Sequence, residues 1–162
     1  MDTFAEAISK IGDLSDAMLH ERLVVSDKGQ INGRTVRDCP PGHIMLRQPP
    51  SSEKDIRVTI PAQFMSEWKP DIWKDSGLKL KKVMVMQNTD FSGIFALLPV
   101  AHNIIGKGVY RLEQNAEDGQ ARFMTTRNHL GRCLNEAIEF VAFKLHGSAG
   151  MVDLRGLKMV GE

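Results

Sequence analysis

The chain has 162 residues, of which 42% are apolar and 25% charged, enough apolar material to bury one core without disulfide or metal staples. A net charge of +1 excludes a strongly basic tail and an acidic mimic of nucleic acid. The two cysteines, Cys39 and Cys133, form no disulfide framework.

The N-terminus MDTFAEAISKIGD carries acids and lacks the apolar region of a signal peptide. No stretch has the length of a membrane span. A reducing, cytoplasmic setting without membrane contact is the expectation. Charge is unevenly placed: residues 1–30 hold six acids against Lys10, Arg22 and Lys28, while 31–60 and 121–162 each carry two excess positive charges.

Residues 3–22 read as an amphipathic helix, because Phe4, Ala7, Ile8, Ile11, Leu14, Met18 and Leu19 recur at steps of three and four. Residues 26–42 are rich in turn formers, and Asn32-Gly33 is a hairpin signal. His43–Arg47 and Asp55–Ile60 alternate as strands, and Pro61 ends the second. Ala62–Lys69 reads as a short helix burying Phe64, Met65 and Trp68, followed at Pro70 by a turn carrying Ile72 and Trp73. Leu78–Gln87 and Ile94–Ala101 form strands joined by a turn that includes Gly93. Pro99 demands a sheet edge or a bulge. Gly108–Gln114 and Gln120–Thr126 form a second hairpin around Asn115–Gly119.

The spacing of Leu130, Cys133, Leu134, Ala137, Ile138, Val141, Ala142 and Leu145 predicts a helix over 128–146, with Asn128 as N-cap and Gly147 as C′. The tail 148–162 adds a short strand or lies loosely on the surface. The expected fold is one α+β domain over 1–162. It has an antiparallel sheet of about 5–7 strands, with a partial barrel as a variant, and packs an N-terminal and a C-terminal helix on the sheet.

Catalytic chemistry finds little support. Gly106-Lys107-Gly108 precedes a strand and fits no phosphate loop. Cys39 and His43 make half of a zinc site at most, so no metal and no cofactor is expected. A small enzyme using Cys39, His43 or His102 is the third reading, since a nucleophile and base can meet in space without a local motif. Cys133 lies on the apolar stripe and reads as an inert thiol.

Two basic groupings carry a mechanism. Alternation sends Arg47, Arg57, Lys79, Lys81, Arg111 and Arg122 to one sheet face, provided that their strands are neighbours. Arg127 and Arg132 flank the start of the expected C-terminal helix, where unpaired N–H groups suit a phosphate. The leading expectation is a non-catalytic nucleic-acid-binding protein using these eight residues. The alternative is a protein-binding accessory, inhibitor or homo-oligomeric subunit, drawing on Trp68, Trp73 and nine methionines.

Overall fold

The computed structural model describes residues 39–74, 77–78, 80–87 and 93–161. In chain order the elements are β1 (His43–Arg47), β2 (Asp55–Ile60), α1 (Ala62–Glu67), a 3-10 turn (Asp71–Trp73), β3 (Lys81–Gln87), β4 (Ile94–Val100), β5 (Val109–Gln114) and β6 (Ala121–Thr126). There follow α2 (Arg127–Leu130), β7 (Arg132–Cys133), β8 (Ile138–His146), β9 (Ala149–Asp153) and β10 (Lys158–Met159). Eight strands close into an antiparallel barrel in the order β1-β2-β6-β5-β3-β4-β9-β8, and β7 pairs with β10 in a separate two-stranded sheet.

This architecture corrects the expected α+β fold. Among the described residues the α-helices are six and four residues long, and neither forms a layer on a sheet. The expected helix over 3–22 and the Asn32-Gly33 turn lie outside the described residues.

The expected C-terminal helix is mostly strand. Thr126, rather than Asn128, caps α2 by accepting the His129 N–H at 3.1 Å. Gly131 then ends the helix after one turn, with φ 65° and ψ 15°, a left-handed conformation that glycine adopts without steric cost. Residues 138–146 become β8, with Val141 and Phe143 in the barrel core and Leu145 packed against it. Phe140 and Ala142 alternate to the other side and are also buried. Burial on both faces removes the strict alternation that marks a half-exposed strand, so the apolar run also satisfies a helical stripe. Gly147 has φ 57°, but it serves in the two-residue turn between β8 and β9. The stretch expected as strand or surface tail supplies β9, with Met151 fully buried.

Side chains fill the barrel interior. Ile44, Leu46, Val58, Val85, Phe95, Leu97, Phe123 and Val152 meet there, and the remaining void is about 20 Å³. Such a void holds about one water at most, and its apolar lining keeps it dry. The chain after β2 packs a plug of aromatic rings against the same core. Phe64 and Trp68 both lie edge-on to Phe143, at 4.8 and 5.8 Å between ring centroids, and Trp73 lies edge-on to Trp68 at 4.8 Å. Both indole N–H groups are satisfied, Trp68 donating to the Ser148 carbonyl and Trp73 to the Lys82 carbonyl, each at 3.0 Å. These tryptophans are therefore core residues and present no surface to a partner.

The outside of the wall is two-sided. On β2, β6 and β5 the outward positions are mainly polar: Arg57, Thr59, Arg122, Met124, Arg111 and Glu113. On β3, β4, β9, β8 and β1 they include Met86, Ile94, Ala96, Leu98, Met151, Phe140 and Met45. The candidate site lies in the polar half. No helix among the described residues is long and apolar enough to cross a membrane.

Candidate functional site

The polar half contains the weakest joint of the ring. β2 and β6 pair over six residues each, and β3 and β5 over four. Between β5 and β6 the ladder consists of Glu113↔Arg122 and Gln114↔Ala121. Beyond these pairs, Val109–Leu112 and Phe123–Thr126 have no ladder partner across the seam.

α2 follows directly from β6 at the unpaired end of this seam. The His129 ring stands edge-on to Tyr110 at 5.7 Å, and its Nε2 lies 3.2 Å from the Val85 carbonyl. Leu130 enters the core. Gly108 makes room for the imidazole: a Cβ there would come within 3.0 Å of His129 Cε1, and φ is +83°. The Gly106-Lys107-Gly108 segment is thus a turn shaped around a histidine.

A cleft of about 370 Å³ opens at the seam, lined by Arg57, Tyr110, Arg111, Glu113, Arg122, Phe123 and Met124. Both faces of the wall contribute. Arg57, Arg111, Arg122, Glu113 and Met124 are outward residues and form the mouth. Tyr110 and Phe123 belong to the inward side and stack on each other, with centroids 5.6 Å apart and planes 29° apart. The register places Arg57 opposite Met124 and Arg122 opposite Thr59, so Arg57 and Arg122 are diagonal neighbours on one face, about 7–8 Å apart. Arg122 is also opposite Glu113.

Three arginines face one glutamate around the mouth. Among the described residues none of these arginines is held in an ion pair; the pair that forms is Arg155–Asp153, at 2.7 Å. Guanidinium groups without protein partners can give fork-shaped N–H pairs to phosphate or carboxylate oxygens. The aromatic floor adds a surface for a flat ring.

The eight residues expected from sequence divide sharply. Arg57, Arg111 and Arg122 come together at the cleft. Arg47 is exposed at the end of β1, opposite Arg57, and does not line the cleft. Lys79 lies outside the described residues. Lys81 has the opposite phase from the one expected. It shares its side of β3 with core residues Val83 and Val85, is half-buried, and donates from Nζ to Gln114 Oε1. Burial holds its ammonium below the ordinary lysine value. The strand KKVMVMQ is apolar at both parities, so its phase was ambiguous.

Arg127 begins a helix of four residues whose own N–H donates to the Lys54 carbonyl at 3.0 Å. Without the long helix there is no phosphate-binding terminus. Arg132 is buried. Its Nη1 donates to the Leu157 carbonyl at 3.1 Å, and its guanidinium packs over Gly93, where a Cβ would lie 2.8 Å from Nη2. It clamps the C-terminal segment to the start of β4.

Sequence reasoning missed Tyr110, Phe123 and Met124 as site residues. Their role depends on where the β5–β6 ladder stops, and no local pattern encodes that point.

The residues of the enzymatic reading are placed as follows. Burial pushes the Cys39 thiol up to about 12, so almost no thiolate exists at neutral pH. His43 is buried, with Nδ1 2.9 Å from the Pro41 carbonyl. His102 sits in an exposed turn after β4. Cys133 is half-buried in β7, opposite Lys158. Among the described residues no group of three or more His, Cys, Asp or Glu could hold a metal ion.

Comparison with known proteins finds no matching family model, curated protein or solved structure.

Proposed function

We propose that this protein is a non-catalytic binding protein that takes single-stranded nucleic acid at the β5–β6 cleft. The observation carrying this reading is the placement of Arg57, Arg111 and Arg122, with no ion pair among the described residues, around a mouth floored by stacked Tyr110 and Phe123. Backbone phosphates suit the arginines, and an unstacked base suits the aromatic floor. The cleft has room for a base and none for a duplex. Glu113 at the mouth accepts hydrogen bonds from exocyclic amino groups and repels a second phosphate.

The test is fluorescence anisotropy with labelled single- and double-stranded oligonucleotides at several salt concentrations. Single strands should bind more tightly. With about three phosphates neutralised, log K should fall with log salt at a slope of roughly −2. An Arg57→Glu/Arg122→Glu variant should lose binding. No binding of single strands at low salt would sink the proposal.

A protein partner is the second reading, and the β4–β5 loop favours it. Ile105 is 90% exposed there, beside the exposed Ile104. An apolar loop tip of this kind suits insertion into a partner pocket. Under this reading wild type self-associates in size exclusion and Ile104→Ser/Ile105→Ser does not. A wild type that stays monomeric at all concentrations speaks against a second copy as that partner.

A further inference from the structure

The register of the barrel draws a line of positive charge across five strands, and the cleft holds only its middle. Arg47 is opposite Arg57, and Arg57 is opposite Met124. Past the seam, Arg111 is opposite Lys82. The β5–β6 ladder stops at Glu113↔Arg122, and the same count carried two residues further brings Met124 and Arg111 face to face. Arg47, Arg57, Met124, Arg111 and Lys82 therefore form one row perpendicular to β1, β2, β6, β5 and β3. Each is next in sequence to a core residue (Leu46, Val58, Phe123, Leu112 and Val83), so the row is on the outside of the wall.

Positive charge is concentrated in this row. On one side the next outward residues are Met45, Thr59, Arg122 and Glu113. On the other they are Asp55, Thr126, Val109 and Met84. The charges of these flanking residues nearly cancel, whereas the row itself has cations and no acid. Arg47 faces Arg57 directly, and Arg111 faces Lys82 directly, an arrangement that is unfavourable for like charges. A closed ring has no strand edge for such charges to protect. Among the described residues none of the four cations is held in an ion pair. Lys82 Nζ donates to the Ile104 carbonyl at 2.9 Å and has two further N–H bonds to give. A polyanion lying along the row relieves the repulsion that the row builds in.

We propose that this row is a track for the backbone of a single strand, which crosses the barrel from β1 to β3. Its phosphates lie against Arg47, Arg57, Arg111 and Lys82, and one base turns down into the cleft beside Met124. The proposal rests on the single-strand reading of the cleft and adds two contacts outside it, Arg47 and Lys82. Four spacings between neighbouring strands make the track about 19 Å long. The ligand is thus a polynucleotide, since a mononucleotide fills the cleft and leaves both ends of the row bare.

The test is the salt dependence of anisotropy on the full-length chain with two labelled probes of one base, a 5′-phosphorylated trinucleotide and a dodecanucleotide. Each phosphate contact on a single strand adds about 0.7 to the slope of log K against log salt. Three cleft arginines give roughly −2 with the trinucleotide, and two more cations give roughly −3.5 with the dodecanucleotide. Arg47→Gln/Lys82→Gln should make the dodecanucleotide slope shallower by about 1.4 and leave the trinucleotide slope unchanged. Arg47→Lys/Lys82→Arg keeps both charges and should keep the wild-type slope, which separates phosphate contact from a structural role. Equal slopes for the two probes, or a dodecanucleotide slope that the glutamine variant does not move, would overturn the track. If Arg57→Glu/Arg122→Glu still abolishes binding in that case, the cleft reading stands without it. Failure of both probes to bind at low salt takes down the track and the cleft together.

Discussion

Tyr110 and Phe123 stack across the joint of the barrel that main-chain pairing leaves open, with ring centroids 5.6 Å apart. Side-chain contact takes over from hydrogen bonds there, and the same contact floors the proposed binding cleft.

Tyr110 is half-buried and Phe123 buried, so their truncations should separate. Tyr110→Ala should weaken single-strand binding by about 1–3 kcal/mol, the usual worth of one base stacked on an aromatic ring, with a smaller loss of stability. Phe123→Ala should cost about 3–5 kcal/mol of folding stability. Anisotropy and urea denaturation of both variants measure the two effects.

Arg122 and Arg132 carry the same charge in different roles. Arg122→Met should reduce oligonucleotide affinity and flatten its salt dependence, leaving the urea midpoint nearly unchanged. Arg132→Met should lower stability by about 1–3 kcal/mol, because the buried Leu157 carbonyl loses a charged donor. Its salt slope should match wild type. A reversed pattern would remove the assignment of Arg122 to the site.

Gly150 faces the core beneath the Phe143 ring, where a Cβ would overlap Cε2 and Cζ of that ring and meet Trp68 at 3.5 Å. Gly150→Ala should destabilise by about 1–3 kcal/mol through overpacking. Tryptophan fluorescence followed through denaturation reads this directly, since Trp68 is in the contact.

Cys39 holds its proton more tightly folded than unfolded, because burial pushes the thiol up to about 12. Its contribution to stability is complete below the ordinary thiol value and fades as pH rises from there toward about 12. Wild type should therefore lose stability relative to Cys39→Ser across that alkaline window and at no lower pH. Native protein at pH 8 should also alkylate at Cys39 far more slowly than urea-unfolded protein.

Much of the strand content was legible from period-two alternation bounded by turn residues. His43–Arg47 and Asp55–Ile60 form as written. The run Ile94–Ala101 forms as a strand up to Val100; β9 pairs with it only as far as Leu97, so Pro99 sits beyond the ladder on that side. The closed ring was not legible. Its order depends on β2 meeting β6, β3 meeting β5, β4 meeting β9 and β8 meeting β1, and no local residue pattern specifies those pairings. The C-terminal helix failed for a different reason: a strand buried on both faces loses its alternation, and the helical spacing runs straight through Gly131, where the chain turns left-handed.

At the site, Arg57, Arg111 and Arg122 were legible because each alternates with a residue turned toward the core. The side of Lys81 was not legible, because Met84 and Met86 are as apolar as Val83 and Val85. Arg132, expected as a phosphate contact beside a helix start, is buried instead, and that burial depends on Leu157 and Gly93, both remote in sequence.

Four of the eight joints in the ring link consecutive strands and four link strands that are not consecutive. The chain therefore emerges as four hairpins, β1–β2, β3–β4, β5–β6 and β8–β9, and the first three must wait for the last. Until β8 and β9 leave the ribosome, β1 and β4 each present an unpaired edge of the kind that recruits other chains. Closure relies on contacts distant in sequence and should be slow beside that of a helical protein of equal size. Aggregation during synthesis is thus the hazard built into this topology, and it disappears when the final hairpin completes the circle.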